Sequence, residues 1–307
     1  MAKSVAKSGG VGPAISQSVE RLVDTVASRL TRFTDARAEA VELVAAAFDV
    51  PRHWPVLHAN RWVDRQQWEK VIVATGKRAQ GAPLAYAVGQ ANFRQFTLHV
   101  DGRVLIPRPE TELLVDLVLS RCAPVVGKGK GGVVVDVGTG SGAIAIALAT
   151  DGKFERVIAT DISADALAVA RHNAMRYACN IDFFQGSLLQ PIAGRFGRRQ
   201  GKLAAVVSNP PYISFDDIES LPGSVRDWEP AVALFSGRDG IAITARLVRE
   251  AAAQLAPGGL LALEVDARRA SLVAELAASD WRYDDVRVEL DLAGRERFVL
   301  ATRGERE

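Results

Sequence analysis

From Val133 to the end of the chain, short apolar runs of strand length alternate with stretches whose apolar residues recur at helical spacing. No other feature constrains the fold as much. Val133-Val134-Val135, Val157-Ile158-Ala159, Ile181 to Phe184, Leu203 to Val207 and Leu260 to Leu263 read as buried strands. Ala143 to Ala149, Ala164 to Tyr177, Ile241 to Leu255 and Ala267 to Ala278 read as helices between and after them. Strands that are apolar on both faces need helices covering both faces, so the expected fold is α/β, a doubly wound and mostly parallel sheet. Val286 with Val288, and Phe298 to Leu300, add a terminal strand pair across Ala293-Gly294 and bring the count to seven.

Upstream the period is helical. Val19, Leu22, Val23, Val26 and Leu30 mark one amphipathic helix, and Val41, Val44, Ala45 and Phe48 a second that begins after Asp35 and stops at Pro51. Asp64 is a candidate cap for a third, running through Trp68, Val71 and Ile72. Phe96, Leu98 and Val100 then alternate with polar residues before Asp101-Gly102, which places a β-hairpin here. The expected organisation is a disordered tail over residues 1–14, a helical domain over 15–80, a β-hairpin linker over 81–104 and the α/β domain over 105–307.

Composition narrows the function classes. A net charge of +2 on 307 residues does not mark a dedicated nucleic-acid binder. No window approaches the roughly 18 apolar residues of a membrane span, and residues 1–14 lack the apolar core of a signal peptide. Cys122 and Cys179 have no metal-like or redox spacing, which predicts free thiols in a reducing compartment, and the four histidines are scattered, which predicts no metal site. A cytoplasmic monomer is expected.

Two motifs carry chemistry. Gly138-Thr139-Gly140-Ser141-Gly142 follows the first strand of the alternating region, with Asp136 two residues ahead. A tight glycine turn at a helix N-terminus brings backbone close to a ligand. The spacing is not that of a dinucleotide fingerprint, although for the loop alone a nucleotide oxidoreductase remains open. It resembles motif I of the Rossmann-like S-adenosylmethionine methyltransferases, and Asp161, ending the second strand, is placed to accept hydrogen bonds from ribose hydroxyls.

The second motif, Asn209-Pro210-Pro211-Tyr212, follows the fourth strand. Prolines cannot donate to a ladder, so they stop the strand and hold its carbonyls outward. The Asn209 side-chain oxygen and the Pro210 carbonyl can each accept one N–H of a planar NH2 group, and Tyr212 can stack on its face. The tetrapeptide resembles the motif of methyltransferases acting on planar nitrogens. By this geometry an exocyclic amine of DNA or rRNA is a rival substrate to an amide, supported by the basic run Arg195, Arg198, Arg199 and Lys202.

The order and approximate spacing of Leu105-Ile106-Pro107-Arg108-Pro109-Glu110-Thr111-Glu112, the glycine loop, Asn209-Pro210-Pro211-Tyr212-Ile213, Glu229-Pro230 and Arg238-Asp239-Gly240 resemble those of the protein-(glutamine-N5) methyltransferases that modify bacterial peptide chain release factors. The resemblance implies a Rossmann-like class I methyltransferase with a small N-terminal helical domain that recognises the substrate. It further implies S-adenosyl-L-methionine as cofactor, held by Gly138, Thr139, Gly140, Ser141, Gly142, Asp161, Leu188 and Asn209. Asn209, Pro210, Pro211 and Tyr212 would hold the glutamine of the release factor's Gly-Gly-Gln loop, with Asn209, Pro210 and Tyr212 catalytic. A ribosomal protein glutamine is the alternative within the same chemistry. From residue types alone, Thr111 reads as a helix cap. Ser187, Ser236-Gly237 and Glu264-Val265-Asp266 depart from the family pattern.

Overall fold

A computed structural model describes residues 17–126, 131–194 and 203–305. The expected tail over 1–14 and the basic run from Arg195 to Lys202 lie outside the described residues. Contacts divide the chain into two compact units, one ending at Val88 and one starting at Gly89.

The first unit is helical, for reasons visible locally. Ser18, Asp35 and Asp64 each accept a hydrogen bond from a backbone N–H three residues on, at Arg21, Ala38 and Gln67, and so cap helices Val19–Ala27, Ala36–Phe48 and Arg65–Ala79. The Asp64 N–H in turn donates to Gln67 Oε1 at 3.3 Å, completing a capping box. Leu22, Val26, Leu43, Val44 and Val71 from these helices, with Leu30 from the turn after the first, close a fully buried core. Each such side chain contributes about 1.5–3 kcal/mol by leaving water.

The second unit opens with strands β1 (Gln90–Phe93) and β2 (Phe96–His99), paired antiparallel with Phe93 opposite Phe96. The turn of this hairpin is Arg94-Gln95 rather than Asp101-Gly102. Arg94 adopts φ of +51° there, its N–H donating to Glu112 Oε1 at 2.9 Å and its guanidinium to Asp116 at 2.7 Å. Asp101 lies beyond β2, its carboxylate taken up by the N–H and guanidinium of Arg103. Asp-Gly favours a turn, and tertiary partners decided where the hairpin closed.

The remaining strands are β3 (Gly131–Val137), β4 (Phe154–Asp161), β5 (Ile181–Gln185), β6 (Leu203–Ser208), β7 (Leu255–Glu264), β8 (Tyr283–Leu290) and β9 (Glu296–Arg303). They form one seven-stranded sheet in the order β5-β4-β3-β6-β7-β9-β8, parallel except where β9 runs antiparallel between β7 and β8. Alternation along β3 shows why both faces are covered. Val134 packs with Leu114, Ile144 and Leu148 on one side, whereas Val133 and Val135 pack with Leu247, Val248 and Val273 on the other. The chain winds outward from β3 through β4 to β5, then returns to β6 on the other side of β3. That reversal creates a crevice at the carboxyl ends of β3 and β6, where open α/β sheets bind ligands.

Candidate active site

The two chemical motifs leave the sheet side by side. Val137, the last residue of β3, lies opposite Ser208, the last of β6, and the Ser208 hydroxyl donates to the Val137 carbonyl at 2.6 Å. The glycine loop and Asn209 therefore face one cleft of about 390 Å³, within the range of small-molecule sites.

The loop presents backbone to that cleft. Gly138 and Gly140 have φ of +72° and +54°, and nothing lies within 4 Å of where a Cβ would stand on either. Thr139 and Ser141 turn inward. The Thr139 hydroxyl donates to Asp136 Oδ2 at 2.6 Å, and the Ser141 carbonyl accepts from Asn173 Nδ2 at 2.9 Å. Gly142 caps the helix Ala143–Asp151 and abuts Ala170. Of the five loop residues, Gly138 and Gly140 thus line the cleft, and Thr139, Ser141 and Gly142 shape it from behind.

Asp136 ties the loop to the helix it opens, because its Oδ2 also accepts from the Ala145 N–H at 3.1 Å. Its Oδ1 has no partner among the described residues, and complete burial pushes the carboxyl up to about 7. Asp161 stands across the loop, its two oxygens accepting from the N–H groups of Gly140 and Ser163 at 2.9 Å each. Burial raises its pKa, opposed by those backbone bonds. Leu188, with φ of +51°, and Ser187 form the neighbouring wall. Open backbone, a carboxylate with lone pairs to spare and an apolar wall suit a nucleoside carrying a small charged chain.

On the other side of the cleft Asn209 and Pro210 line both the large cavity and an adjoining recess of about 50 Å³, which Arg108, Tyr212, Val225 and Leu234 help to enclose. Asn209 Nδ2 donates to Thr111 Oγ1 at 3.2 Å, and Thr111 Oγ1 donates to Glu264 Oε2 at 2.7 Å. Thr111 therefore does not use its hydroxyl as a helix cap. It sits inside the first turn of the helix Pro109–Val126 with its hydroxyl directed at β7. Burial pushes Glu264 up to about 7 despite the Thr111 bond and the nearby Arg297. Desolvation likewise pushes the half-buried Tyr212 phenol up to about 12.

The segment after Tyr212 is strapped down. Ile213 N–H donates to the Leu234 carbonyl, Ser236 N–H returns a bond to Ile213, and the Ser214 hydroxyl donates to the Arg238 carbonyl. Two departures from the family pattern find partners here. Ser236 Oγ accepts from the Ile243 N–H at 3.0 Å, and Asp266 pairs with Arg268 and Arg269, which also reach Asp217.

Thr111, Glu264 and the Arg108–Glu229 pair are the residues that sequence reasoning did not assign. Thr111 lies 98 residues from Asn209 and 153 from Glu264, so no local spacing could have joined them. The one available signal was the run Ile106 to Glu112, too specific for a plain helix start. Among the described residues no group of three or more His, Cys, Asp or Glu could hold a metal ion, and both cysteines are free.

Fold and site together define a class I, Rossmann-like methyltransferase, an enzyme that takes its methyl group from S-adenosyl-L-methionine. Two family models match, Methyltransferase small domain over residues 111–220 and PrmC N-terminal domain over residues 21–89. The release factor glutamine methyltransferase of Deinococcus radiodurans is 41% identical over 235 residues, covering 74% of this chain and 77% of that protein. Its counterpart from Synechocystis sp. is 38% identical over 258 residues, covering 79% and 81% respectively. The chain belongs to the release factor glutamine methyltransferase family. Among solved structures, the hMettl16 catalytic domain in complex with an RNA hairpin shares the fold at a TM-score of 0.52 and 13% identity, covering 81% of this chain and 86% of that one.

Proposed function

We propose that this enzyme methylates the side-chain amide nitrogen, N5, of the glutamine in the Gly-Gly-Gln loop of peptide chain release factors. The observation that carries this reading is the meeting of Asn209-Pro210-Pro211-Tyr212 with the glycine loop at one cleft, in a chain of this family. Gly138 and Gly140 offer backbone, Asp161 accepts from ribose hydroxyls, and Leu188 bounds the adenine.

An amide is a poor nucleophile because its lone pair is delocalised. Asn209 Oδ1 and the Pro210 carbonyl each accept one N–H of the substrate amide, which aims the nitrogen, and Tyr212 stacks on the amide plane. When bound, S-adenosyl-L-methionine supplies an electrophilic methyl carbon on sulfur. Transfer would join that methyl carbon to the amide nitrogen as its bond to sulfur is lost, and the nitrogen, then acidic, would shed one proton to solvent. No strong base is needed, and positioning with electrostatics carries the rate.

The helical unit grips the release factor outside the Gly-Gly-Gln loop. We take the enzyme to act as a monomer in the cytoplasm; among the described residues no helix is long and apolar enough to cross a membrane.

Purified enzyme with methyl-labelled S-adenosyl-L-methionine is expected to label release factor, and replacing the loop glutamine should abolish labelling. Equal transfer to bare DNA or rRNA would overturn the assignment.

A further inference from the structure

Asn209 can serve its proposed role in only one of two amide orientations. If the side chain turned by 180° about its last bond, an NH2 would face the substrate NH2 and neither could accept. Oxygen and nitrogen of an amide are nearly equal in size, so packing does not choose between them. Hydrogen-bond partners must.

The partners here impose a direction. Glu264 is buried at the end of β7, and an ionised carboxylate can only accept. Thr111, also buried, has one hydroxyl hydrogen and spends it on Glu264 Oε2 at 2.7 Å. Toward Asn209 the same oxygen can only accept, at 3.2 Å, so the amide atom beside it must be Nδ2. Oδ1 is thereby turned away from Thr111, and no described residue takes it.

We propose that Thr111 and Glu264 are positioning residues for methyl transfer, forming a one-way relay that holds the Asn209 amide with its oxygen free for the substrate. The proposal rests on reading Asn209 as the acceptor of the substrate amide. It concerns a polar chain that runs from Asn209, just past the end of β6, through Thr111 on the helix Pro109–Val126 to Glu264 at the end of β7.

The relay depends on charge as well as geometry. A protonated Glu264 could donate, and the direction would no longer be forced. The groups facing Glu264 are Arg297 from β9, Arg108 from just before the helix Pro109–Val126, Glu110 from its first turn, and Tyr212 from the loop after β6. The two arginines favour the carboxylate, whereas Glu110 and burial oppose it.

The test compares kcat, KM for release factor and S-adenosyl-L-methionine affinity in the full-length enzyme. Valine is close in size to threonine but cannot relay, so Thr111→Val should lower kcat about 10–100-fold while cofactor affinity and KM change little. Thr111→Ser should recover most of that loss. Glu264→Gln, which like the protonated acid can donate as well as accept, should leave kcat at the lowered level predicted for acid pH and flat with pH there, whereas the wild type is expected to fall to that level as Glu264 takes up a proton. Asn209→Ala should be impaired already, and adding Thr111→Val should cost little more. A Thr111→Val enzyme with wild-type kcat, a cofactor affinity falling in step with kcat, or an unchanged acid limb in Glu264→Gln would overturn the relay. Should Thr111→Val unfold, the pH profile of kcat in Glu264→Gln against that of the wild type decides. Full transfer by Asn209→Ala would instead remove the reading of Asn209 on which the relay stands.

Discussion

Arg108 Nη2 donates to both carboxylate oxygens of Glu229 at 2.8 Å, joining two motifs that lie 121 residues apart. The Glu229 side chain is 1% exposed and Arg108 29%. Burial raises the Glu229 pKa and the Arg108 charge lowers it, so the pair is what keeps a buried carboxylate tolerable. It also sets the wall of the small recess beside Asn209 and Tyr212, because Arg108 lines that recess.

Arg108→Ala should therefore destabilise the fold by about 2–4 kcal/mol, since an unpaired buried charge costs more than a lost contact. The double variant Arg108→Ala/Glu229→Gln should regain part of that loss. Denaturant unfolding of both variants checks this, and a double variant no better than the single would show that packing rather than charge is at stake.

Gly140 holds φ of +54° over open cleft. An alanine there would be strained by about 1–2 kcal/mol and would put a methyl group against the cofactor. Gly140→Ala should weaken S-adenosyl-L-methionine binding at least tenfold by calorimetry, with a small fall in melting temperature. Unchanged affinity would mean that the loop does not approach the cofactor closely.

Burial raises Asp136 from its ordinary 3.8 to about 7. Because the folded value lies above the unfolded one, the fold binds the extra proton, and stability must fall as pH rises from about 4 to about 7 and then level off. The cost is on the order of 4 kcal/mol, at 1.36 kcal/mol per pKa unit. Asp136→Asn should flatten that window relative to wild type in urea unfolding across pH. The difference between the two curves is the readout, since carboxylates such as Asp101, held down at about 2 mainly by Arg103, act in the opposite direction.

The helical unit is compact up to Val88. A protein starting at Gly89 should show a much higher KM for release factor but a similar KM for a short peptide containing Gly-Gly-Gln. Equal effects on both substrates would remove the recognition role proposed for the helices.

Much of this molecule was legible in local patterns. Apolar runs such as Val133 to Val135, alternating with helical periods, implied a parallel sheet covered on both faces, and Asp35 and Asp64 announced the helices they cap. Such signals work because capping and burial depend on neighbours in the chain. The glycine loop and the Asn-Pro-Pro-Tyr turn were legible too, since each carries its chemistry within five residues.

Other features depended on partners far along the chain. Asp101-Gly102 has the composition of a hairpin turn, yet the hairpin closed at Arg94-Gln95, where Glu112 and Asp116 support the guanidinium and backbone. Thr111 has the look of a cap, yet its hydroxyl turned to Glu264 because a buried carboxylate needs a donor more than an exposed helix end does. By itself, then, the chain determined its elements, its sheet class and the residue types of its site. Only the tertiary structure decided which way the Asn209 amide faces, because that orientation is set by a proton on Thr111 and a carboxylate on β7 that meet only when the sheet has formed.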